Sequence, residues 1–233
     1  WRGMVMRTDV EPFTDARVRK AVRMAVDRQA LADLVTGGAA EITCDHPVMK
    51  TDQYRADINC PQDIAGAKKL LADAGFPNGI EFTVHPSSLE PTWTPIAEVV
   101  QQQVAAAGIK VNIKVSPSDG YWSDVWMKKD VAMTRWNQRP ADQALNEIYH
   151  SGAKWNESYF KDAKFDAILE SARKELDFEK RKAIYQSAQN MLWESSGTLI
   201  PYTVSKLIVT TSRVNNLDEV ENWSVRWHKI TVD

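Results

Sequence analysis

The sequence predicts an α/β fold with a largely parallel central sheet, and three stretches carry that prediction. IEFTV, from Ile80, alternates apolar and polar residues as a half-buried strand does. PIAEVVQQQVAAAG places Ile96, Val99, Val100, Val104 and Ala107 on one helical face, and Gly108 ends the helix. IKVNIKV alternates again, with Ile109, Val111, Ile113 and Val115 on one side. Strand, helix and strand at this spacing form a βαβ unit, whose strands run parallel.

The remaining elements follow in order. WRGMVMRTDVEPF reads as a strand entered part-way, and with Trp1 at its head it suggests a piece of a longer protein. PFTDARVRKAVRMAVDRQALADLV is helical, with Val18, Val22, Ala25 and Val26 on one stripe. Thr14 or Asp15 can cap its start, Asp27 can open a second segment, and Thr36 to Gly38 close it. In DIAGAKKLLADAGFPNG, Asp63 is the N-cap, Ile64, Ala67, Leu70 and Leu71 form the apolar face, and Gly75 with Pro77 stops the helix. SDGYWSDVWMKK is expected to be a helix and VAMTRW, at Val131–Trp136, the next strand. QALNEIYHS, DAKFDAILESARKE and DFEKRKAIYQSAQNMLWES are helical, the last with Ile184, Ala188, Met191 and Leu192 inward. GTLIPYTV and KLIVTTS look like strands, and the tail adds turns and one late strand.

The 233 residues carry a formal net charge of −2 with both signs interspersed, which argues against nucleic acid as a partner. No run of eighteen apolar residues occurs. Cys44 and Cys60 bracket a polar, proline-containing loop, and a disulfide there would point to an oxidising compartment. Two free buried thiols are the alternative.

Catalytic signatures are missing from the chain. It has no phosphate-binding glycine loop, no dinucleotide fingerprint and no G-x-S-x-G elbow. Its histidines, His46, His85, His150 and His228, lack paired metal-ligand spacing, and the proximity of Cys44 to His46 has no second pair to complete a zinc site. Acids such as Asp15 and Asp27 sit among Lys and Arg and read as solvated charge. Tryptophan is the positive clue: of nine, Trp122, Trp126, Trp136 and Trp155 gather around the end of the strand 131–136. Aromatic walls bury organic ligands well, although core packing accounts for any one of them taken alone.

PFTDARVRKAVRMAVDRQAL, AGAKKLLADAGFPNG, WNESYFKDAKFDAILESARKELDFEKRKAIYQSAQNMLWE and GTLIPYTV, in that order, resemble the peptide-type solute-binding proteins of ABC importers, which include dipeptide, oligopeptide and nickel binders. The resemblance implies one lobe of a type II periplasmic-binding-protein-like fold. It assigns residues 1–206 to the carboxyl-terminal ligand-binding lobe, with a hinge strand from Trp1 to about Asp9. It assigns residues 207–233 to a tail that returns to an amino-terminal lobe. The implied protein is periplasmic, uses no cofactor, performs no chemistry, binds a peptide-like or other small solute and docks on ABC permease subunits. A stand-alone interaction or sensory domain that binds a partner protein is the alternative.

In that family the strand equivalent to Val131–Trp136 ends at the cleft between the lobes, as α/β sheets in general bind ligands beyond strand carboxyl ends. Peptide binders often carry W-x-x-D there, the acid pairing with the peptide ammonium. Here the register gives Trp136, Asn137, Gln138 and Arg139. A guanidinium suits a carboxylate or phosphate, so the expected solute carries an anionic group. The expected ligand-binding residues are Trp136, Arg139, Trp122, Tyr121, Trp155, Asn156 and Asp142. Structural alternatives stand beside them: Arg139 bridging to a local acid such as Asp142, Asn156 holding its own loop, and Asp142 capping the following helix.

Overall fold

The computed structural model describes residues 1–204, 209–217 and 226–233. Strand β1 (Arg2–Met6) is followed by helices α1 (Ala16–Met24) and α2 (Arg28–Thr36), strand β2 (Ala40–Ile42) and helix α3 (Ile64–Asp73). The predicted unit follows as β3 (Ile80–Val84), α4 (Trp93–Ala105) and β4 (Ile109–Ile113). Then come β5 (Val131–Arg135), α5 (Ala141–Tyr149), α6 (Ala163–Lys174), α7 (Phe178–Ser195) and β6 (Thr198–Val204). A short pair, β7 (Val214–Asn215) and β8 (Thr231–Val232), lies in the tail.

The βαβ unit forms as expected, with β3 and β4 parallel from Ile80 opposite Ile109 to Val84 opposite Ile113. An isolated parallel bridge, His85 to Ala132, ties it to β5. The expectation of a largely parallel central sheet is corrected. The four-stranded sheet runs in the order β2, β6, β1, β5, and each pair in it is antiparallel. One apolar cluster gathers α1–α4 on one side of this sheet; Trp1, α5–α7 and Ile200 form a second on the other. Its strands are therefore buried on both faces: β5 buries all but its last residue, and β6 all but its last. Strands buried on both faces lose the alternation that marks antiparallel pairing and read like parallel core strands.

Pro201 interrupts β6 without breaking it. The register with β1 shifts between Arg2 and Met4, and Gly3 lies at that shift. A Cβ on Gly3 would come within 2.3 Å of the Leu199 carbonyl oxygen, so only glycine allows β1 to close against the bulge.

Helix starts follow their capping residues. Asp27 Oδ1 accepts from Ala30 N at 2.9 Å and Asp63 Oδ1 from Gly66 N at 2.7 Å; Asp15, Asp162 and Asp177 cap α1, α6 and α7. Asp15 and Asp27 are thus caps as well as surface charges. The predicted inward stripe of α1 and its end, Val18, Val22, Ala25 and Val26, is fully buried. In α7 the buried set is Tyr185, Ala188, Gln189 and Leu192, with Ile184 and Met191 only partly covered.

Three other expectations change. The helix expected over residues 118–129 is reduced to a single π-helical turn, Tyr121–Val125. Val115 lies beyond β4 and is exposed. Of the strand expected over 206–212, residues 206–208 lie outside the described residues and 209–212 carry no strand. Cys44 and Cys60 form a disulfide, with Cα atoms 5.7 Å apart.

Candidate functional site

The carboxyl end of β5 collects the groups that the sequence singles out. Backbone bonds with the first residue of the chain set its last turn: Trp136 N donates to Trp1 O at 3.1 Å, and Trp1 N donates to Trp136 O at 2.9 Å. The Trp136 ring meets Trp155 at 5.7 Å and 60°, an edge-to-face pair. Trp155 is 48% exposed and walls a shallow concavity of about 300 Å³ with Asn146, Glu147, Ala153 and Lys154.

Arg139 lies beside that concavity. Its Nε is 3.6 Å from Glu147 Oε2, an ion pair beyond hydrogen-bond length. Both atoms are buried and lack a hydrogen-bond partner. Arg139 therefore does bridge to a local acid, but the acid is Glu147 on α5 and not Asp142, and its Nη1 donates to Gln138 O at 3.3 Å. Two further guanidiniums, Arg2 and Arg135, share one oxygen of Glu90, at 3.3 and 3.7 Å.

The other predicted residues have structural partners. Asp142 accepts from Arg173 Nε at 2.8 Å, Arg173 Nη2 at 2.9 Å and the Tyr185 hydroxyl at 2.8 Å, which ties α5 to α6 and α7. It is not the N-cap of α5, because Asp52 Oδ2 accepts from Ala141 N at 2.8 Å instead. Asn156 is buried and holds its loop: its Oδ1 accepts from Phe160 N at 3.0 Å and its Nδ2 donates to His150 O at 3.3 Å. Tyr121 is 1% exposed, and its hydroxyl shares its one proton between His85 O and Met133 O, each at 2.8 Å, and accepts from Met133 N at 3.0 Å. It supports the end of β5 from beneath and offers no open wall. Trp122 is 42% exposed and packs edge-on against Trp93, Tyr121 and Trp126.

Sequence reasoning missed Glu157. Its carboxylate is buried under the end of β5 and accepts from Trp136 Nε1 at 3.0 Å, from Thr134 Oγ1 at 2.8 Å and from Trp126 Nε1. Thr134 and Trp136 reach it together because alternate residues of a strand face one side. Burial pushes its pKa up to about 7, and the three donors only partly oppose that shift. The unfolded chain releases this proton near 4.5, so the folded state binds more protons between about 4.5 and 7. Stability from this group is present below that window and falls as pH rises through it. Glu157→Gln is expected to remove a decline of roughly 2–3 kcal/mol between about pH 5 and 8. Urea titrations of both proteins across that range check it, and equal slopes would contradict it. His46, held near 3 by burial, acts in the opposite sense as pH falls below 6.5, and the comparison of wild type with variant cancels it.

A larger concavity of about 550 Å³ lies at the amino end of β5, lined by Glu11, Glu81, His85, Asn112, Lys128 and Asp130 among others. Its walls are mainly polar or charged, and among the described residues no tryptophan lines it. Among the described residues no group of three metal-ligating side chains comes together.

The family model for bacterial extracellular solute-binding proteins, family 5, middle region, matches residues 1–180. The chain belongs to this family. It is 28% identical over 224 residues to the glutathione-binding protein GsiB of Salmonella typhi, a match covering 91% of this chain and 44% of that one. The chain thus spans less than half the length of the curated relatives it matches. Two solved structures share its fold. They are the oligopeptide-binding protein AppA of Bacillus subtilis, in complex with a nonapeptide (TM-score 0.83, 20% identity, all of this chain and 50% of that one), and the periplasmic binding protein DppA of Helicobacter pylori, in complex with the peptide STSA (TM-score 0.81, 23% identity, 99% and 46%). AgaA of A. tumefaciens R10, in complex with agropinic acid, is 26% identical with a TM-score of 0.76, over 87% of this chain and 43% of that one. These relatives are binding proteins and not enzymes, and none of them speaks for a stand-alone sensory domain.

Proposed function

We propose that this chain is the carboxyl-terminal ligand-binding lobe of a periplasmic solute-binding protein that feeds an ABC importer. Its solute carries an anionic group that is received by Arg139. The observation that supports it is the Arg139 guanidinium, a side chain one-third exposed and held by a 3.6 Å ion pair to Glu147 and a bond to Gln138 O, beside the half-exposed Trp155 and the Trp136 ring. A carboxylate reaching the exposed part of that guanidinium would form a charge-assisted bond, and the two indoles would cover the rest of the solute. The function consists of capture and release. An amino-terminal lobe closes over the solute by a hinge motion, the closed form docks on the permease, and the tail from residue 207 packs on that other lobe. Trp122 belongs to the same wall if the solute extends past Trp136. Asp142, Asn156 and Tyr121 shape the site through the contacts described above.

The relatives make the reading concrete. Glutathione and agropinic acid both carry carboxylates, and they are named for GsiB and AgaA. The experiment is a thermal-shift panel on the intact protein with glutathione, agropinic acid, mannopinic acid and uncharged, end-blocked peptides. Stabilisation by one or more of the anionic solutes and not by the blocked peptides is expected. The reverse preference would overturn the role given to Arg139.

A further inference from the structure

We propose that Glu157 is a positioning residue: it fixes the indoles of Trp136 and Trp126 from beneath and makes the aromatic wall at the end of β5 responsive to protons. The geometry is specific. Oε1 holds Trp136 Nε1 at 3.0 Å, while Oε2 takes both Trp126 Nε1 and Thr134 Oγ1, the latter at 2.8 Å. Three donors converge on one buried carboxylate. No ion pair to it occurs among the described residues. Such a group is held by hydrogen bonds alone, and its charge strengthens each of them.

The two kinds of donor differ in what they can do when a proton arrives. A hydroxyl can rotate, so Thr134 Oγ1 can turn from donor to acceptor. An indole N–H can only donate. Protonation of Oε2 therefore reverses the threonine bond, weakens the bond from Trp126 on the same oxygen and leaves Trp136 on a neutral carbonyl. Both rings lose the charge that aligns them. The titratable groups that face Glu157 are the Tyr121 phenol, under β5, and the Tyr149 phenol, from α5. Burial pushes both phenols up, so they stay neutral throughout this window. From the loop after the π-helical turn and from β5 only Trp126, Thr134 and Trp136 reach the carboxylate. Its own shift to about 7 brings the transition near neutrality, within the range an extracytoplasmic protein meets. The consequence for solute binding rests on the reading of Trp136 as a cleft wall; the hydrogen-bond network itself does not.

The test follows the two indole Nε1–H resonances of the intact protein by NMR from pH 5 to 9, assigned with Trp126→Phe and Trp136→Phe. Both are expected to move together with one midpoint near neutral pH, and Glu157→Gln is expected to abolish the movement. Thr134→Val, which removes one donor and keeps the side-chain shape, is expected to shift the midpoint upward. Indoles that do not titrate, that titrate unchanged in Glu157→Gln, or whose midpoint ignores Thr134→Val would overturn the proposal. Thr134→Val decides alone if Glu157→Gln does not fold. A titration that survives while Trp136→Ala leaves binding to the solute panel unchanged would refute the wall reading and leave the positioning role standing.

Discussion

Replacing Asp45 with alanine is expected to destabilise the protein by about 3–5 kcal/mol, the range found when one partner of a buried ion pair is removed. Asp45 is fully buried and its Oδ2 accepts from Arg28 Nη2 at 2.6 Å, with both side chains at 2% exposure or less. Its other oxygen accepts from Ile200 N at 2.8 Å, so it also fixes β6. Burial pushes the Asp45 carboxyl up, and the guanidiniums of Arg28 and Arg23 oppose that shift. Arg23 and Arg19 already spend their donors on the end of α7: Arg23 Nη1 donates to Leu192 O at 2.8 Å and Arg19 Nε to Ser195 O at 3.1 Å. They complement the negative end of that helix. Without Asp45, the buried guanidiniums of Arg28 and Arg23 lose their shared carboxylate and are left to carbonyl groups and the Ser196 hydroxyl. Asp45→Asn keeps an acceptor for Ile200 and should cost less than alanine. Urea denaturation of both variants measures the difference, and a cost for Asp45→Ala under about 1 kcal/mol would mean the pair contributes no more than a surface one.

Removing the Cys44–Cys60 disulfide is the second large effect. The bond closes a loop with a sequence separation of 16, and the chain-entropy relation gives roughly 3 kcal/mol for a loop of that size. The paired Cys44→Ala, Cys60→Ala protein is expected to lose that stability in urea titration, and a loss well under 1 kcal/mol would show that the loop is held by its other contacts. Those contacts are specific. Arg28 Nη1 donates to Cys60 O at 3.1 Å, and Thr43 Oγ1 donates to Ile200 O at 2.7 Å. Asp45 follows Cys44 directly and anchors the same strand end. The two perturbations share one loop, so combining them should depart from additivity.

Helices were legible in the sequence because their signals are local. An aspartate cap, a 3.6-residue stripe and a terminal glycine lie within a few residues of one another, and α1, α2 and α3 formed where those signals stood. The β3–α4–β4 unit was legible for the same reason. Strand direction in the main sheet was not. β1 pairs with β5 and β6 across more than a hundred residues, and burial on both faces erases the alternation that would have hinted at antiparallel partners. The site divides in the same way. The Trp136 and Arg139 positions came from one short stretch and its family resemblance. Glu147 and Glu157 were invisible, because each meets that stretch from a later segment and no spacing rule connects them. A buried acid between Asn156 and Ser158, with Lys154 and Lys161 close to it in sequence, reads as ordinary surface charge and carries no local signature of its role.

The central claim is that Arg139 receives an anionic group of a transported solute. Isothermal titration of the intact protein with the tightest-binding solute of the panel, in wild type and in Arg139→Ala, tests it most directly. A weakening of about 1.5–3 kcal/mol is predicted, roughly ten- to more than a hundred-fold in Kd, with Arg139→Lys between the two because an ammonium lacks the planar fork. An unchanged Kd in Arg139→Ala would contradict the account and leave Arg139 as a surface partner of Glu147.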